Sequence, residues 1–207
     1  VKNIYYPPGG ILMWIVIFLE LLTFGMALIA MAVYSQAEPE VFHNSRLLLN
    51  TTFGTINTLF LITSGFFMAL SVRYLKEGNA KKSSLYLKLT MLGGLLFLIL
   101  KTIEYNAKIA AGLTIDYNTF FTFYWMLTLF HVIHVIVGLV ILASVYFGMT
   151  KEKPNTSIED VEASAAFWHM CDLIWMMLFP VIYLLSFSLL VSSVNSFISK
   201  RGQLSTG

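Results

Sequence analysis

The sequence predicts an all-α fold, a polytopic membrane bundle of five transmembrane helices. Hydrophobic residues make up 57% of the 207 residues and charged residues 12%, whereas a soluble domain usually carries about 25% charged residues. Five apolar runs are long enough to cross a hydrocarbon core of about 30 Å, which takes roughly 20 helical residues. None of them alternates as the strands of a membrane barrel do. The runs cover residues 11–34, 47–72, 86–103, 120–147 and 165–197.

The first three spans are separated by short connections of contrasting charge. The first run is too long for a signal-peptide core and has no small-residue cleavage site after it, so we expect it to be retained. An acidic and polar connection, residues 36–46, leads to the second span. A basic connection, residues 73–88, leads to the third.

The last span contains Pro180. This residue should kink the helix, because proline lacks a backbone N–H and crowds the preceding turn. A polar segment with a capping-type start at Ser157 precedes the span. Since no connection is long enough to fold by itself, we expect residues 1–207 to form a single membrane domain.

Basic residues predict the orientation, because cytoplasmic loops carry an excess of Lys and Arg. With the N-terminus in the cytoplasm and the C-terminus outside, eight basic residues lie inside and five outside. The excess comes mostly from the connection between the second and third spans. The inside set is Lys2, Arg73, Lys76, Lys81, Lys82, Lys88, Lys151 and Lys153, and the outside set is Arg46, Lys101, Lys108, Lys200 and Arg201.

Charge and cysteine content exclude several classes of function. The net charge of +2 is small and spread along the chain, so no nucleic-acid partner is expected. A single cysteine, Cys171, cannot form an internal disulfide framework. The sequence has neither a phosphate-binding glycine loop nor a nucleophile–base pair, so no catalytic residue is predicted.

Ionisable residues inside the apolar runs are the most informative, because a charge at bilayer depth costs several kcal/mol unless it is paired or neutralised. Glu20, His134 and Asp172 lie in the first, fourth and fifth spans. At a rise of about 1.5 Å per residue they share one level of the bundle with His131. We expect them to face the bundle interior or a partner subunit. Glu20, His134 and Asp172 are candidates for proton transfer, although a neutral Glu20 hydrogen-bonded to another helix is an equally good interpretation.

Two polar pairs have a structural as well as a functional interpretation. His131 and His134 lie three residues apart on one helix face and could ligate a metal or haem. No third ligand is evident, so no metal site is predicted, and hydrogen bonds between helices explain the pair. His169 and Asp172 have the same spacing, which an orienting hydrogen bond or ion pair near the headgroups explains.

The remaining candidates have structural interpretations. Trp168 and Trp175 are expected to be interface and packing aromatics. Lys101, Glu104 and Lys108 are spaced for a helix-end salt bridge near the outer surface. Close approach of helices is expected at Gly93, Gly94 and Gly138.

The order and content of the spans resemble subunit III of the haem-copper oxidases, the cytochrome c oxidase subunit III family. The last span, FWHMCDLIWMMLFPVIYLL, resembles the tryptophan-histidine-x-x-aspartate signature of that family's last helix. Its matching residues are Trp168, His169, Asp172 and Trp175.

Three other spans extend the resemblance over nearly the whole chain. FYWMLTLFHVIHVIVGLVIL is similar to the family's paired-histidine helix, with His131 and His134 at the matching places. Glu20 in WIVIFLELLTFG stands where the family has its intramembrane carboxylate, and LKTIEYNAKI places Glu104 and Tyr105 at a helix end.

Longer members of that family have seven helices, and this sequence is expected to lack the first two. Short five-helix forms occur among bacterial quinol oxidases and among accessory subunits associated with nitric oxide reductases. The segments ELLTFG and FWHM-x-DLIW are most similar to the latter group. In long members, phospholipids occupy a cleft between the first two helices and the rest. Here we expect that cleft to be absent or filled by bulk lipid.

The resemblance implies a subunit without haem or copper, docked beside subunits I and II, which hold those cofactors, in a bacterial plasma membrane. Its implied roles are to support subunit I, to organise bound phospholipid and other membrane lipids along an oxygen route, and to sustain proton uptake. The structural or lipid-contact candidates are His131, Trp168, His169, Trp175 and Glu104.

Three alternative functions remain at this stage. One is an accessory subunit of a nitric oxide reductase. Another is a small proton-coupled transporter, although the inverted repeats and second broken helix typical of transporters are not evident. The last is a self-contained haem or metal enzyme, which needs more ligands than the sequence supplies.

Overall fold

The protein is all-helical in the computed structural model, which describes residues 10–150 and 156–184. Within these residues, five helices are long and apolar enough to cross a membrane, as the sequence predicts. A short helix lies between the first two of them. The elements are α1 (Gly10–Ala37), α2 (Pro39–Leu47), α3 (Thr51–Lys76), α4 (Ala80–Ala110), α5 (Thr119–Thr150) and α6 (Ile158–Phe179), followed by a π-helical turn at Pro180–Leu184.

The short helix α2 lies where the sequence predicts a polar connection, residues 36–46. Pro39 occupies its first turn, where a missing backbone N–H has no cost. Its Phe42 is 2% exposed and meets Phe120 of α5 edge-to-face at 5.5 Å between ring centroids. Nine residues are too few for a helical pattern of apolar residues to be recognised in the sequence. A helix of this length is not stable alone, and packing against α5 stabilises it.

Helix α6 lies at the centre of the bundle and contacts α1, α3 and α5. Trp168, Ile174, Trp175 and Leu178 are fully buried on it. Its N-terminus carries the expected capping box, in which the Asp160 backbone N–H donates to Ser157 Oγ at 3.1 Å. By contrast, α1 exposes large apolar side chains along most of its length, as a lipid-facing helix does.

Glycines set the distance between the helices, as expected at Gly94 and Gly138. A Cβ on Gly94 would lie 2.5 Å from Cη2 of Trp168, and one on Gly138 would lie 3.0 Å from its Cε3. Trp168 is therefore clamped between α4 and α5. The Asp172 carboxylate lies against Gly65 of α3 in the same way, leaving no room for a Cβ.

Pro180 ends the regular part of α6. The α-helix stops at Phe179, and the backbone continues through Pro180–Leu184 as a π-helix. Proline has no backbone N–H to donate to the preceding turn. The wider π-helical turn begins at this residue. The turn points Tyr183 into the bundle, where its side chain is 3% exposed. The rest of the fifth apolar run, residues 185–197, lies outside the described residues.

Candidate functional site

The predicted level of ionisable groups is organised around a pair between α1 and α5. Glu20 Oε2 lies 3.1 Å from His134 Nε2, and the two side chains are 24% and 12% exposed. His134 Nδ1 lies 2.8 Å from the carbonyl oxygen of Phe130. Since a carbonyl only accepts, Nδ1 carries a hydrogen. The Glu20–His134 contact is at ion-pair distance, but Glu20 Oε2 has no hydrogen-bond partner of suitable geometry in the described part of the chain.

His131 lies one turn away and does not join that pair. It is fully buried, and neither ring nitrogen has a hydrogen-bond partner among the described residues. Its ring stacks on Trp175 at 5.3 Å with an interplanar angle of 28°, and Phe97 meets it edge-on at 5.6 Å. The structure thus separates the two histidines into a polar contact and an aromatic stack. Hydrogen bonding between helices, which the sequence analysis expected for both, has no counterpart at His131.

Asp172 and His169 form the second predicted pair. Their Oδ2 and Nδ1 atoms are 3.6 Å apart, which is an ion-pair distance and too long for a hydrogen bond. The Asp172 side chain is 8% exposed and that of His169 46% exposed. Asp172 Oδ1 is buried without a hydrogen-bond partner in the described part of the chain. The pair joins the core of the bundle to its outer face.

Trp168 and Trp175 both pack inside the bundle. Their side chains are fully buried, as expected of packing aromatics, and neither lies on the outer surface of the bundle. Trp168 Nε1 donates to Ser64 Oγ, and Trp175 Nε1 donates to Thr58 Oγ1, each at 3.0 Å. The hydroxyl groups of α3 satisfy the two indole N–H groups, which allows these large side chains to be buried.

A buried charge cluster lies where the sequence analysis expected a salt bridge at a helix end. Lys101 and Glu104 are 1% and 2% exposed, and Lys101 Nζ lies 2.9 Å from Glu104 Oε2. Glu104 Oε1 accepts from Tyr124 at 3.0 Å and from Tyr183 at 2.6 Å. Lys101 Nζ also lies 3.0 Å from the Tyr183 hydroxyl and 4.9 Å from the centroid of the Trp175 ring. The pairing was predicted, but its placement at a helix end was wrong, because the pair lies inside α4 and is buried.

The misplacement has a physical cause. Hydropathy predicts an end of the third span at residue 103, whereas α4 continues to Ala110. Lys101 therefore lies more than two turns inside the helix. Helix α4 tolerates the charge because four aromatic rings surround it and one carboxylate neutralises it. The sequence contains a partial signal for the burial of this pair. Tyr124 in the fourth span and Tyr183 after Pro180 carry the hydroxyl groups that bind Glu104.

In residues 10–150 and 156–184, no three His, Cys, Asp or Glu side chains come together in a way that could hold a metal ion.

Comparison with known proteins decides the family. The sequence profile of the family described as "Cytochrome c oxidase subunit III" matches residues 12–187, which include all the groups above. The chain belongs to the cytochrome c oxidase subunit III family. The resemblance drawn from the spans is thereby confirmed.

Relatives in this family come from more than one type of oxidase. The chain is 25% identical over 175 residues to the cytochrome bo(3) ubiquinol oxidase subunit 3 of Buchnera aphidicola subsp. Acyrthosiphon pisum (strain APS), covering 83% of this chain and 84% of that protein. It is 31% identical over 129 residues to the cytochrome c oxidase subunit 3 of Prototheca wickerhamii, covering 62% and 48%. It is 31% identical over 132 residues to that of Synechocystis sp. (strain ATCC 27184 / PCC 6803 / Kazusa), covering 63% and 55%. The chain thus spans about half the length of these two cytochrome c oxidase relatives.

Membership of the subunit III family also confirms the predicted function at its coarser level. The chain is a multi-pass membrane subunit of the haem-copper oxidase type, a class that includes cytochrome c oxidases and bo3 quinol oxidases. It is a subunit of such a complex rather than its catalytic chain.

Proposed function

We propose that this chain is the non-redox subunit III of a bacterial terminal oxidase, docked on the catalytic subunit I and near subunit II in the plasma membrane. Haem and copper belong to those partners. The oxidase reduces oxygen in aerobic respiration and couples this to proton pumping. The family match over residues 12–187 carries this proposal.

The internal polar groups support a helper role. Glu20 Oε2 and His134 Nε2 face each other at 3.1 Å, and the pair carries no net charge either as carboxyl and imidazole or as carboxylate and imidazolium. Such a pair tolerates membrane depth better than a lone charge. We propose that it holds a proton near subunit I and helps sustain proton uptake during turnover. We propose the same role for Asp172, which has His169 on its exposed side.

Packing supports a structural role for the other candidates. His131, Trp168, Trp175 and Glu104 are each at most 2% exposed, so they are placed to hold helices together rather than to touch lipid. His169 is the one of these five candidates whose side chain reaches the bundle surface, where a partner subunit or a lipid can meet it.

Orientation is a proposal that follows from the basic residues. The N-terminus is cytoplasmic and the C-terminus external, so the α3–α4 turn with Lys81 faces the cytoplasm. In a Cys171→Ala background, a cysteine at position 81 should resist a membrane-impermeant maleimide in intact cells and react after lysis. Reaction in intact cells would reverse the orientation. A cysteine at position 116, in the α4–α5 connection on the opposite side, serves as the matched control.

Co-purification tests the proposed association. A tagged copy of this chain, extracted from native membranes in mild detergent, should bring with it a large haem-containing subunit that mass spectrometry identifies and that consumes oxygen. A partner that reduces nitric oxide and not oxygen would favour the accessory-subunit alternative. Recovery of the chain without a haem protein would contradict both.

A further inference from the structure

A groove lies on the outer face of the bundle between α3 and α4. Its volume is about 340 Å³. Gly93 and Ser64 lie at the closest approach of the two helices, since a Cβ on Gly93 would lie 2.8 Å from that of Ser64. Apolar side chains dominate its walls. The remaining lining residues are Leu59, Phe60, Thr63, Phe67, Leu89, Leu92 and Leu96.

An aromatic ladder continues the groove toward the turn between α3 and α4. Phe67, at that end of the groove, lies 6.1 Å from Tyr86. Tyr86 stacks on Tyr74 at 5.2 Å with an interplanar angle of 5°, and Lys82 Nζ lies 5.1 Å from the Tyr74 ring centroid. Tyrosine rings prefer the boundary between hydrocarbon and headgroups, with basic residues just beyond it.

Two lysines at the turn between α3 and α4 have no carboxylate partner among the described residues. Arg73 pairs with Glu77 at 2.8 Å, and Lys76 pairs with Glu162 of α6 at 2.6 Å. Lys81 and Lys82 are exposed and have no ion-pair partner within 10–150 and 156–184. Basic residues in this position attract anionic lipid headgroups.

The dimensions of this face match one leaflet. From Lys82 to Leu89 the helix rises roughly 10 Å, and the groove wall from Leu59 to Phe67 is roughly 12 Å long. Together these lengths equal about 22 Å, which is half of a bilayer of about 40–45 Å including its headgroups. A lipid with its phosphate at the turn would therefore have its acyl chain pass the aromatic rings and end in the groove near the bilayer centre.

We propose that the α3–α4 face binds one anionic phospholipid, with its phosphate at Lys81 and Lys82 and an acyl chain in the groove. The positive charge of the two lysines selects an anionic headgroup, and the groove orders the acyl chain. The site uses only residues of α3, α4 and their connection, so it requires neither the Glu20–His134 pair nor the proposed role of the chain.

Photo-crosslinking tests the site in the purified complex that contains the full chain. The complex is placed in nanodiscs of phosphatidylcholine with a minor fraction of phosphatidylglycerol that bears a diazirine near the end of one acyl chain. Mass spectrometry should locate adducts at groove residues such as Thr63 and Leu92. A phosphatidylcholine probe with the same diazirine should label the groove several-fold less.

Two matched pairs of variants test the headgroup contact and the acyl-chain contact independently. The double variant Lys81→Gln/Lys82→Gln should lower the labelling by phosphatidylglycerol to the phosphatidylcholine level, whereas Lys88→Gln, an exposed lysine beside Tyr146 of α5, should not. Leu92→Trp should fill the groove and remove the adducts, whereas Leu129→Trp on the lipid face of α5 should leave them.

Three results would overturn the proposal. The first is equal labelling of the groove by both probes, which indicates contact with bulk lipid only. The second is unchanged labelling in the double lysine variant. The third is labelling of the isolated chain but not of the complex, which indicates that a partner helix covers the groove.

Discussion

Single residues show how the bundle accommodates ionisable groups. Glu20 meets His134 across two helices at 3.1 Å, and Lys101 meets Glu104 within one helix at 2.9 Å. Removing one member of such a pair leaves a buried charge alone, whereas removing both does not. The two pairs differ in exposure, since the first is partly open and the second is closed off. We therefore expect changes at the Glu20–His134 pair to affect turnover of the complex. Changes at the Lys101–Glu104 pair should affect the stability of the bundle.

Glu20→Gln tests the proton-holding role. Glutamine keeps the size of the side chain and can still donate to His134, but it cannot release a proton. We expect the initial rate of oxygen consumption by the complex to stay nearly unchanged and the activity to decay sooner during continuous turnover. Glu162→Gln, which changes the same kind of group near the α3–α4 turn, is the control. An immediate and complete loss of activity would instead indicate a direct proton path through Glu20.

Lys101→Met tests the closed pair. It leaves the Glu104 carboxylate buried beside two tyrosine hydroxyls, and a buried charge without its partner destabilises a protein by about 3–5 kcal/mol. We expect a clear fall in the unfolding temperature of the chain in detergent. Cys171 is fully buried and is the single cysteine, so a fluorogenic maleimide reports unfolding directly.

The double variant Lys101→Met/Glu104→Gln is the matched control for that measurement. Its neutral amide oxygen can still accept from the tyrosines, so most of the lost stability should return. If both variants melt at the temperature of the unaltered chain, the buried pair does not stabilise the bundle.

At the scale of the helices, α6 organises the fold by burying large side chains against small ones. Trp168 fits against Gly94 of α4 and Gly138 of α5, and Asp172 lies against Gly65 of α3. The sequence predicts such glycines because small residues let membrane helices approach closely. It could not predict which side chain fills each gap, because that depends on the rotation of α6 about its own axis.

Gly94→Ala tests this packing. The added Cβ would lie 2.5 Å from the Trp168 ring, and overpacking of a filled core costs about 1–3 kcal/mol. The unfolding temperature from the maleimide assay should fall. Gly25→Ala is the control, because a Cβ on Gly25 meets nothing within 4 Å and alanine favours the helix. Equal effects of the two substitutions would show that Trp168 is not clamped.

Element boundaries mark the limit of what hydropathy can predict here. The five long helices follow from the apolar runs, but the polar ends of α4 are helical too, because Asn79 caps its start and α4 continues past Lys101. The contact between Glu20 and His134 agrees with the common level that helical rise predicts for them. The isolation of His131 and the entry of Tyr183 through a π-helical turn were not predictable, because both depend on side-chain contacts between distant segments.

At the scale of the whole molecule, the described residues form a bundle that buries ionisable groups between its helices and exposes many large apolar side chains. Its family places it in a haem-copper oxidase. In the proposal above, the redox chemistry belongs to other subunits, and this chain supplies a scaffold, a proton-holding pair and a lipid-binding face. The claim at the centre is that the chain works in a complex with a haem protein while holding no haem itself.

The visible absorption spectrum of this chain before and after separation from its complex tests that claim most directly. The complex purified through a tag on this chain should show haem bands, reduce oxygen, and contain one copy of the chain per large subunit. After the subunits are separated in stronger detergent, the haem bands should stay with the large subunit, and the folded chain should show none. Haem bound in stoichiometric amount to the isolated chain would contradict the claim.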